Sequence, residues 1–138
     1  IFFSSNKKKF DFFYIDGLHT YEQAINDIKN SLNFLNENGI ILLHDCLPKK
    51  IWNQIVPRIY GHWNGDVWKA IVESRTWENT NTFTIIADHG LGLIQKKKNS
   101  NILKDKISDF KKLKYRDYYE KHILYMNPIQ HQDLIKYI

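Results

Sequence analysis

Apolar and polar positions between residues 10 and 47 alternate in a pattern that predicts a strand, a helix and a second strand. Residues 10–15 form an aromatic and β-branched run without a helical period, which is typical of a strand covered on both faces. Asp16-Gly17 follows as a turn signal. Residues 40–43 are a second apolar run, closed by His44-Asp45-Cys46. The pattern predicts a βαβ unit with parallel strands and a right-handed crossover.

A helix is predicted between these two strands. Thr20 offers a hydroxyl as N-cap, and Gln23 three residues later completes a capping box. Asn38-Gly39 is expected to end the helix, because these residues tolerate a left-handed C-cap. Apolar residues recur at steps of three and four, which places them on one helical face. They are Tyr21, Ala24, Ile25, Ile28, Leu32 and Leu35.

The rest of the chain carries further helical patterns and one hairpin. Residues 82–87 and 91–96 are β-rich and flank Asp88-His89-Gly90, which predicts an antiparallel hairpin. Asp66 is expected to cap a helix that starts at Val67. Helices are predicted at residues 51–56, 67–75, 102–113, 115–125 and 130–138. This order of elements predicts a mixed α/β sheet of four strands with helices on its faces.

Length and composition indicate one folded domain. The chain has 138 residues, of which 43% are hydrophobic and 14% aromatic, enough to build a core and too many for a disordered chain. Residues 1–98 contain the predicted sheet. Residues 99–138 are expected to form a helical C-terminal extension of the same domain.

Charge and cysteine content narrow the expected partners and compartment. The net charge of +5 comes mostly from lysine runs such as Lys7-Lys8-Lys9, while the aromatic residues lie in core-like runs, so no nucleic-acid partner is expected. No apolar run approaches the roughly 18 residues of a membrane span, so no membrane partner is expected either. Cys46 is the single cysteine, which fits a reducing compartment and predicts a cytoplasmic protein.

Polar side chains follow both strands of the βαβ unit at their carboxyl ends. Asp16 and His19 follow the first strand, and His44 and Asp45 follow the second. Open α/β sheets bind ligands at this edge, and neighbouring strands lie about 5 Å apart. We therefore expect these side chains to face a common crevice. The structural alternative is turn formation by the two aspartates and a helix-start hydrogen bond by His19.

The other reactive side chains are interpreted as structural. Asp88 ends a strand at a turn, where turn chemistry explains it. Cys46 is expected to be a buried small residue rather than a nucleophile, because no basic group except His44 is fixed beside it. The histidines without metal-ligand spacing, expected at the surface or in packing, are His62, His89, His122 and His131.

Four motifs in this order resemble the C-terminal half of class I S-adenosylmethionine-dependent methyltransferases. They are FDFFYIDGLHTYEQAINDI, NGIILLHDCLP, WNGDVWKAI and DHGLGLIQ. The chain is most similar to the bacterial small-molecule and sugar methyltransferases with an IDG-x-H-x-Y signature, over about residues 8–97. The family's sheet order is 3-2-1-4-5-7-6, with strand 7 antiparallel. The resemblance implies a partial Rossmann-like sheet made of strands 4, 5, 6 and 7.

The resemblance also assigns roles to the residues of the crevice. His19 matches the histidine after IDG and is expected, with Asp16, to be catalytic, since an imidazole titrates near operating pH. Relatives with a divalent cation such as Mg²⁺ bind it through acidic residues that Asp16 and Asp45 match. His44 stands where such relatives carry a glutamate, and it shifts the preference towards softer metals. Acceptor binding is expected in residues 47–68 and 99–138.

The donor-binding part of the family has no counterpart in these 138 residues. The glycine-rich loop and the acidic residue that hold S-adenosylmethionine would precede Ile1. The chain also starts Ile1-Phe2-Phe3 without methionine, which indicates an internal segment of a longer protein. The sequence therefore predicts a methyltransferase in full-length form rather than activity of this segment alone.

Three functions remain open at this point. The first is methyl transfer to a hydroxyl of a small molecule or sugar. The second is a catalytically silent half-domain that acts as a structural or interaction module. The third is a metal-dependent phosphohydrolase, suggested by the His44-Asp45 pair. An exposed sheet edge would favour pairing of copies, so a homo-oligomer is among the expectations.

Overall fold

A computed structural model describes residues 2–138, with side chains from Phe3 onward. Its helices are α1 Phe2–Ser5, α2 Tyr21–Phe34, α3 Ile51–Gln54, α4 Trp68–Ser74 and α5 Tyr115–Met126. Its strands are β1 Phe10–Ile15, β2 Leu35–Leu43, β3 Asn81–Ile86, β4 Leu91–Gln95 and β5 Pro128–Gln130. Two 3₁₀ turns span Phe110–Lys112 and His131–Lys136.

The strands form one open five-stranded sheet in the order β1-β2-β4-β3-β5. β1 and β2 are parallel, β4 is antiparallel to both β2 and β3, and β5 is parallel to β3. In the order in which they lie in the sheet, β1, β2, β4 and β3 therefore correspond to strands 4, 5, 7 and 6 of the sheet that the resemblance implies. Their directions correspond as well, since β4 is the antiparallel strand. The predicted mixed α/β fold with flanking helices and a partial Rossmann-like sheet is confirmed, but the sheet has a fifth strand, β5, beyond the four that were predicted.

The start of α2 is held by side chains from two parts of the chain. Thr20 Oγ1 accepts a hydrogen bond from Gln23 N at 3.4 Å, as predicted. The predicted capping box is not completed, because Thr20 N donates to Leu18 O and the side chain of Gln23 donates to Asp27 Oδ1 at 2.8 Å. Asp66 Oδ1 accepts a hydrogen bond from Tyr21 N at 2.6 Å. The expectation that Asp66 caps its own helix is wrong, because its carboxylate is used on α2 and Val67 is the N-cap of α4. Asp66 thus joins the segment before α4 to the start of α2.

The end of α2 lies earlier than predicted. Phe34 is its last residue, and Leu35 is already extended and pairs with Phe10 of β1. Asn38 has a left-handed φ of 61° inside the β2 segment, not at a helix C-cap. The register between the two strands shifts before Phe12, which accommodates the intervening residues. Leu35 is fully buried as a strand residue.

The two faces of the sheet are covered differently. α2, α4 and α5 cover one face and form the larger core with Ile41, Leu43 and Ile94. Trp68 of α4 is fully buried in this core. The other face has a smaller cluster, which consists of Phe83, Ile85, Leu93 and Ile129, with Leu134 and Tyr137 packed against it.

The helical prediction for the C-terminal segment is only partly correct. α5 is confirmed, but residues 102–113 are largely irregular and hold only a short 3₁₀ turn. Arg75 explains this path, since it donates from Nη2 to Asn101 O at 2.9 Å while its carbonyl accepts from Leu103 N at 2.9 Å. These bonds pair Asn101 O and Leu103 N outside a helix. The predicted helix at 130–138 is instead the end of edge strand β5 and a 3₁₀ turn, and Pro128 is tolerated as the first residue of an edge strand.

None of the helices formed by residues 2–138 combines the length and the apolar character that a membrane crossing requires.

Candidate active site at the carboxyl ends of β1 and β2

The parallel pairing of β1 and β2 brings their carboxyl ends together. Ile15 pairs with Leu43, and His44 N donates to Ile15 O at 3.0 Å, so the ladder continues to the last residues of both strands. Asp16 and His44 therefore lie side by side, each directly after the last residue of its strand. This is the crevice that the sequence predicts.

Four side chains converge there. Asp45 Oδ2 lies 3.2 Å from both His19 Nε2 and His44 Nδ1. Asp16 Oδ1 lies 3.5 Å from the same two nitrogens. The side chain of Asp45 is 4% exposed and that of Asp16 is 43% exposed. One carboxylate thus forms the floor of the crevice and the other its solvent side.

Asp45 is held in place by the backbone and by Asn64. It adopts a left-handed φ of 62° directly after β2. Asn64, itself buried, donates from Nδ2 to Asp45 Oδ1 at 2.9 Å. The next residue, Cys46, donates its amide to Gly90 O at 3.0 Å. These contacts hold the carboxylate with little freedom to reorient.

The hydrogen bonds of His19 define its tautomer. Its Nδ1 lies 2.9 Å from Trp63 O, and a carbonyl oxygen can only accept, so Nδ1 carries the hydrogen. In neutral His19 the free lone pair is therefore on Nε2, the nitrogen that faces the two carboxylates. The Trp63 ring stacks on the imidazole with centroids 5.3 Å apart, which covers one face of the ring.

Gly65 allows the segment with Trp63 to lie against His19. It has a φ of 62°, and a Cβ built on it would lie 1.6 Å from His19 O. The chain between α3 and α4 can therefore approach His19 this closely only with glycine at position 65.

His44 is bound from its other side by Asp88. Its Nε2 lies 2.8 Å from Asp88 Oδ2, so Nε2 donates and the lone pair of the neutral ring is on Nδ1. Burial lowers the pKa of His44, but the bond to Asp88 and the charges of Asp45 and Asp16 raise it more, so the net pKa lies above its ordinary value. The interpretation of Asp88 as a turn residue alone is incomplete, because its carboxylate also orients His44 and the hydrogen bond lowers its own pKa.

The arrangement fits a divalent cation. His44 Nδ1 is buried and has no hydrogen-bond partner among residues 2–138, although it lies near both carboxylates. Ligand atoms of Asp16, His44 and Asp45 all lie within 4.8 Å of one another. Two ligands of one small cation, at 90° to 109° and about 2.1 Å from it, are about 3.0–3.4 Å apart, close to the distances found here.

The structure also brings His62 and His89 to this site, which the sequence did not predict. Their rings stack with centroids 3.8 Å apart, and both offer ligand atoms near Asp45. Their interpretation as surface or packing residues is incomplete for this reason. The topology of the sheet is a signal that was available. β4 runs antiparallel to β2, so the turn before β4, which contains His89, lies at the carboxyl end of β2 beside Asp45.

An apolar cleft of about 580 Å³ lies beside the site. Leu47 and Pro48, which follow β2, line one side, and α5 lines the other. Asp88, the partner of His44, is part of its wall. Its ring-bearing lining residues are Tyr115, Tyr118, Tyr119 and His122. The cleft thus adjoins the crevice through the Asp88–His44 pair.

Residues 2–46 match a protein-family model described as a methyltransferase domain. The match covers about a third of the chain and includes β1, α2 and β2 with Asp16, His19, His44 and Asp45. It supports a methyltransferase domain, with methyl transfer as the general chemistry and a donor of the S-adenosylmethionine type. No curated protein matches the chain.

Proposed function

We propose that this chain forms the acceptor side of an S-adenosylmethionine-dependent methyltransferase that acts on a hydroxyl group of a small molecule or sugar. The convergence of His19, Asp16, His44 and Asp45 at one sheet edge carries the proposal. These residues lie within the segment that matches the methyltransferase model. A cytoplasmic location belongs to the same proposal, on the ground of the single buried cysteine.

His19 is proposed as the general base. Its Nδ1–H is bound to Trp63 O, so Nε2 is the nitrogen that can take the proton of an acceptor hydroxyl. The oxygen of that hydroxyl then forms a bond to the methyl carbon while the donor's carbon–sulfur bond breaks. The donor, when bound, supplies a methyl group activated by its sulfonium charge. Trp63 covers the imidazole and keeps water from one face of the base.

Asp16, His44 and Asp45 are the residues proposed to hold a divalent cation. The buried, unpartnered Nδ1 of His44 between two carboxylates supports this assignment within the described chain. The cation would act as a Lewis acid towards the acceptor oxygen. The mixed nitrogen and oxygen ligands favour Mn²⁺ or a later metal over Mg²⁺.

The cleft beside the crevice is proposed to bind the body of the acceptor. It is formed by residues after β2 and by α5, the two regions in which the resemblance places acceptor binding. Its tyrosine rings suit an apolar or ring-shaped molecule. Asp88 in its wall would place the reacting hydroxyl towards His44 and the rest of the crevice.

The donor is proposed to bind in a longer protein of which this chain is a part. β1 is at one edge of the sheet, and Phe12 and Tyr14 on it are each 53% exposed. In the sheet order of the resembling family, strand 1 lies next to strand 4, which β1 resembles. A glycine-rich segment that carries such a strand would pair with this edge and cover these rings.

Binding and turnover of S-adenosylmethionine test the proposal. Calorimetry with the donor and with its demethylated product should show binding by the longer gene product and no binding by the 138-residue chain alone. In the longer product, His19→Gln should lower kcat about 100-fold or more and leave KM for the donor nearly unchanged, because the base acts after binding. The control His131→Gln alters an exposed residue in the C-terminal 3₁₀ turn and should be neutral. Absence of donor binding by the longer product would overturn the proposal.

A metal-dependent phosphohydrolase is the second candidate, because His62 and His89 join the His44-Asp45 pair at one site. Hydrolysis of p-nitrophenyl phosphate in the presence of Mn²⁺ or Co²⁺ is the test. Turnover that is lost in Asp45→Asn would favour this candidate. An inactive chain under the same conditions would exclude it for this substrate class.

A further inference from the structure

We propose that Asp45, His62 and His89 form a binding site for a transition-metal ion, separate from the group of Asp16, His44 and Asp45. One ligand atom from each of the three residues lies within 4.8 Å of the other two. The set of two imidazoles and one carboxylate is typical of sites for Zn²⁺, Co²⁺, Mn²⁺ or Fe²⁺. The site shares only Asp45 with the first group.

The two oxygens of Asp45 serve different neighbours. Oδ2 faces His19 and His44, each at 3.2 Å. Oδ1 lies 3.9 Å from His62 Nε2 and accepts the hydrogen bond from Asn64 at 2.9 Å. An ion bound through Oδ1 therefore leaves Oδ2 in its place. A carboxylate shared in this way is known from two-metal sites.

The gap between Asp45 and His62 is too wide for a hydrogen bond and suits an ion after a small closure. The separation of 3.9 Å exceeds the limit for a hydrogen bond. Ligand atoms around one small ion are about 3.0–3.4 Å apart, so a movement of about 0.5–0.9 Å is required. The side chain of His62 is 46% exposed, and no hydrogen bond holds its ring within residues 2–138. It is free to make that movement.

The stacked arrangement of the two imidazoles also has to change on binding. A metal ion lies in the plane of each ring that binds it, whereas these rings are inclined by only 29° at a centroid distance of 3.8 Å. Rotation of the exposed His62 out of the stack brings its lone pair towards the ion. Binding is therefore expected to separate the two rings while His89 stays in place.

His89 and Asp45 are supported from behind, as metal ligands commonly are. His89 Nε2 lies 3.5 Å from Asp88 Oδ1, which leaves the other ring nitrogen for an ion. The carbonyl of His89 accepts from Leu47 N at 2.8 Å and, more weakly, from Asn64 Nδ2 at 3.4 Å. Asn64 is 1% exposed and bonds to both partners, so it holds the carboxylate and the hairpin turn at a constant spacing.

Titration with CoCl₂, followed by visible absorption, tests this site in the chelator-treated chain. Wild-type protein should bind Co²⁺ with bands of low-coordinate Co²⁺, and millimolar Mg²⁺ should not displace it. His62→Ala and His89→Gln should each weaken Co²⁺ binding about tenfold or more, because each removes a ligand. Asp16→Asn removes a ligand of the other group only, so the Co²⁺ that this variant still binds should keep the wild-type affinity of the His62 and His89 site. His131→Ala is the control for loss of an exposed histidine.

The result that overturns the inference is equally specific. Wild-type affinity in both His62→Ala and His89→Gln, or a tenfold loss in Asp16→Asn with no loss in the histidine variants, would assign the ion to the first group. Circular dichroism of each variant identifies any failure to fold. The side chain of His62 is 46% exposed, so we expect His62→Ala to fold normally. No donor or acceptor takes part in this assay. A failed methyl-transfer test therefore does not decide it.

Discussion

At the scale of single residues, Gly65 is the position that most directly controls the site. A Cβ there would overlap His19 O at 1.6 Å, and the residue has a φ of 62°. We expect Gly65→Ala to lower the free energy of unfolding by more than about 2 kcal/mol, since strain of roughly 1–2 kcal/mol at positive φ adds to the overlap. Urea unfolding of the variant measures this change.

Gly61→Ala is a matched control for that experiment. Gly61 has nearly the same φ, 63°, but nothing lies within 4 Å of a Cβ built on it. Its substitution by alanine therefore reports the backbone strain alone, roughly 1–2 kcal/mol. Equal losses in the two variants would show that the contact of Gly65 with His19 is not a constraint on the fold.

The site residues differ in how far sequence alone predicts them. Asp16, His19, His44 and Asp45 were accessible because they directly follow strands, and parallel strands end at one edge. His62 reaches Asp45 only through the path of an irregular segment between α3 and α4, which no local periodicity describes. Contacts made by such segments depend on tertiary packing. They are outside what residue patterns predict.

At the scale of elements, positions of helices and strands were predictable where a periodic face is buried. The hairpin of β3 and β4 follows its apolar pattern closely, and so does α2 up to Phe34. Residues 102–113 do not, because the hydrogen bonds of Arg75 with Asn101 and Leu103 draw the chain into an irregular path. Such bonds between distant residues override the weak local preference for a helix.

The contact between α2 and α4 gives a prediction about pH. Tyr21 OH donates to Glu73 Oε2 at 2.5 Å, and Lys29 Nζ lies 3.1 Å from Glu73 Oε1. Burial, followed by the hydrogen bond and charge of Glu73, raises the pKa of Tyr21. A raised folded-state pKa stabilises the fold below the unfolded pKa of about 10, and this contribution is lost as the pH rises beyond it.

Tyr21→Phe is the variant that isolates this effect. It removes the hydroxyl and keeps the ring, so we expect a loss of about 1 kcal/mol at pH 8. Between about pH 10 and 11 the unfolding free energy should fall more steeply in wild type than in the variant. Urea unfolding at a series of pH values measures both slopes. Identical slopes would mean that Tyr21 has the same pKa in the folded and unfolded chain.

At the scale of the whole molecule, the sheet is protected unequally on its two faces. α2, α4 and α5 bury one face, whereas the cluster around Phe83 on the other face is covered by the C-terminal segment. Tyr137 packs its ring on Phe83 with centroids 4.8 Å apart, and its carbonyl accepts from Gln95 Nε2 at 2.6 Å. The last residues of the chain therefore hold β3 and β4 together from outside. The sequence pattern assigned these residues to a helix, whereas they form the end of β5 and a 3₁₀ turn.

Replacement of Tyr137 tests whether this segment stabilises the sheet. Tyr137→Ala removes the ring that covers Phe83, and we expect a loss of about 2–4 kcal/mol in the free energy of unfolding, in the range for large-to-small changes at partly buried sites. The adjacent Ile138→Ala is the control, because Ile138 is 58% exposed and should cost less than about 0.5 kcal/mol. Thermal unfolding measures the loss of stability. Binding of a hydrophobic dye measures the exposure of the cluster around Phe83. A neutral Tyr137→Ala would show that the face is stable without its cover, and the sheet would then depend on the α2, α4 and α5 side alone.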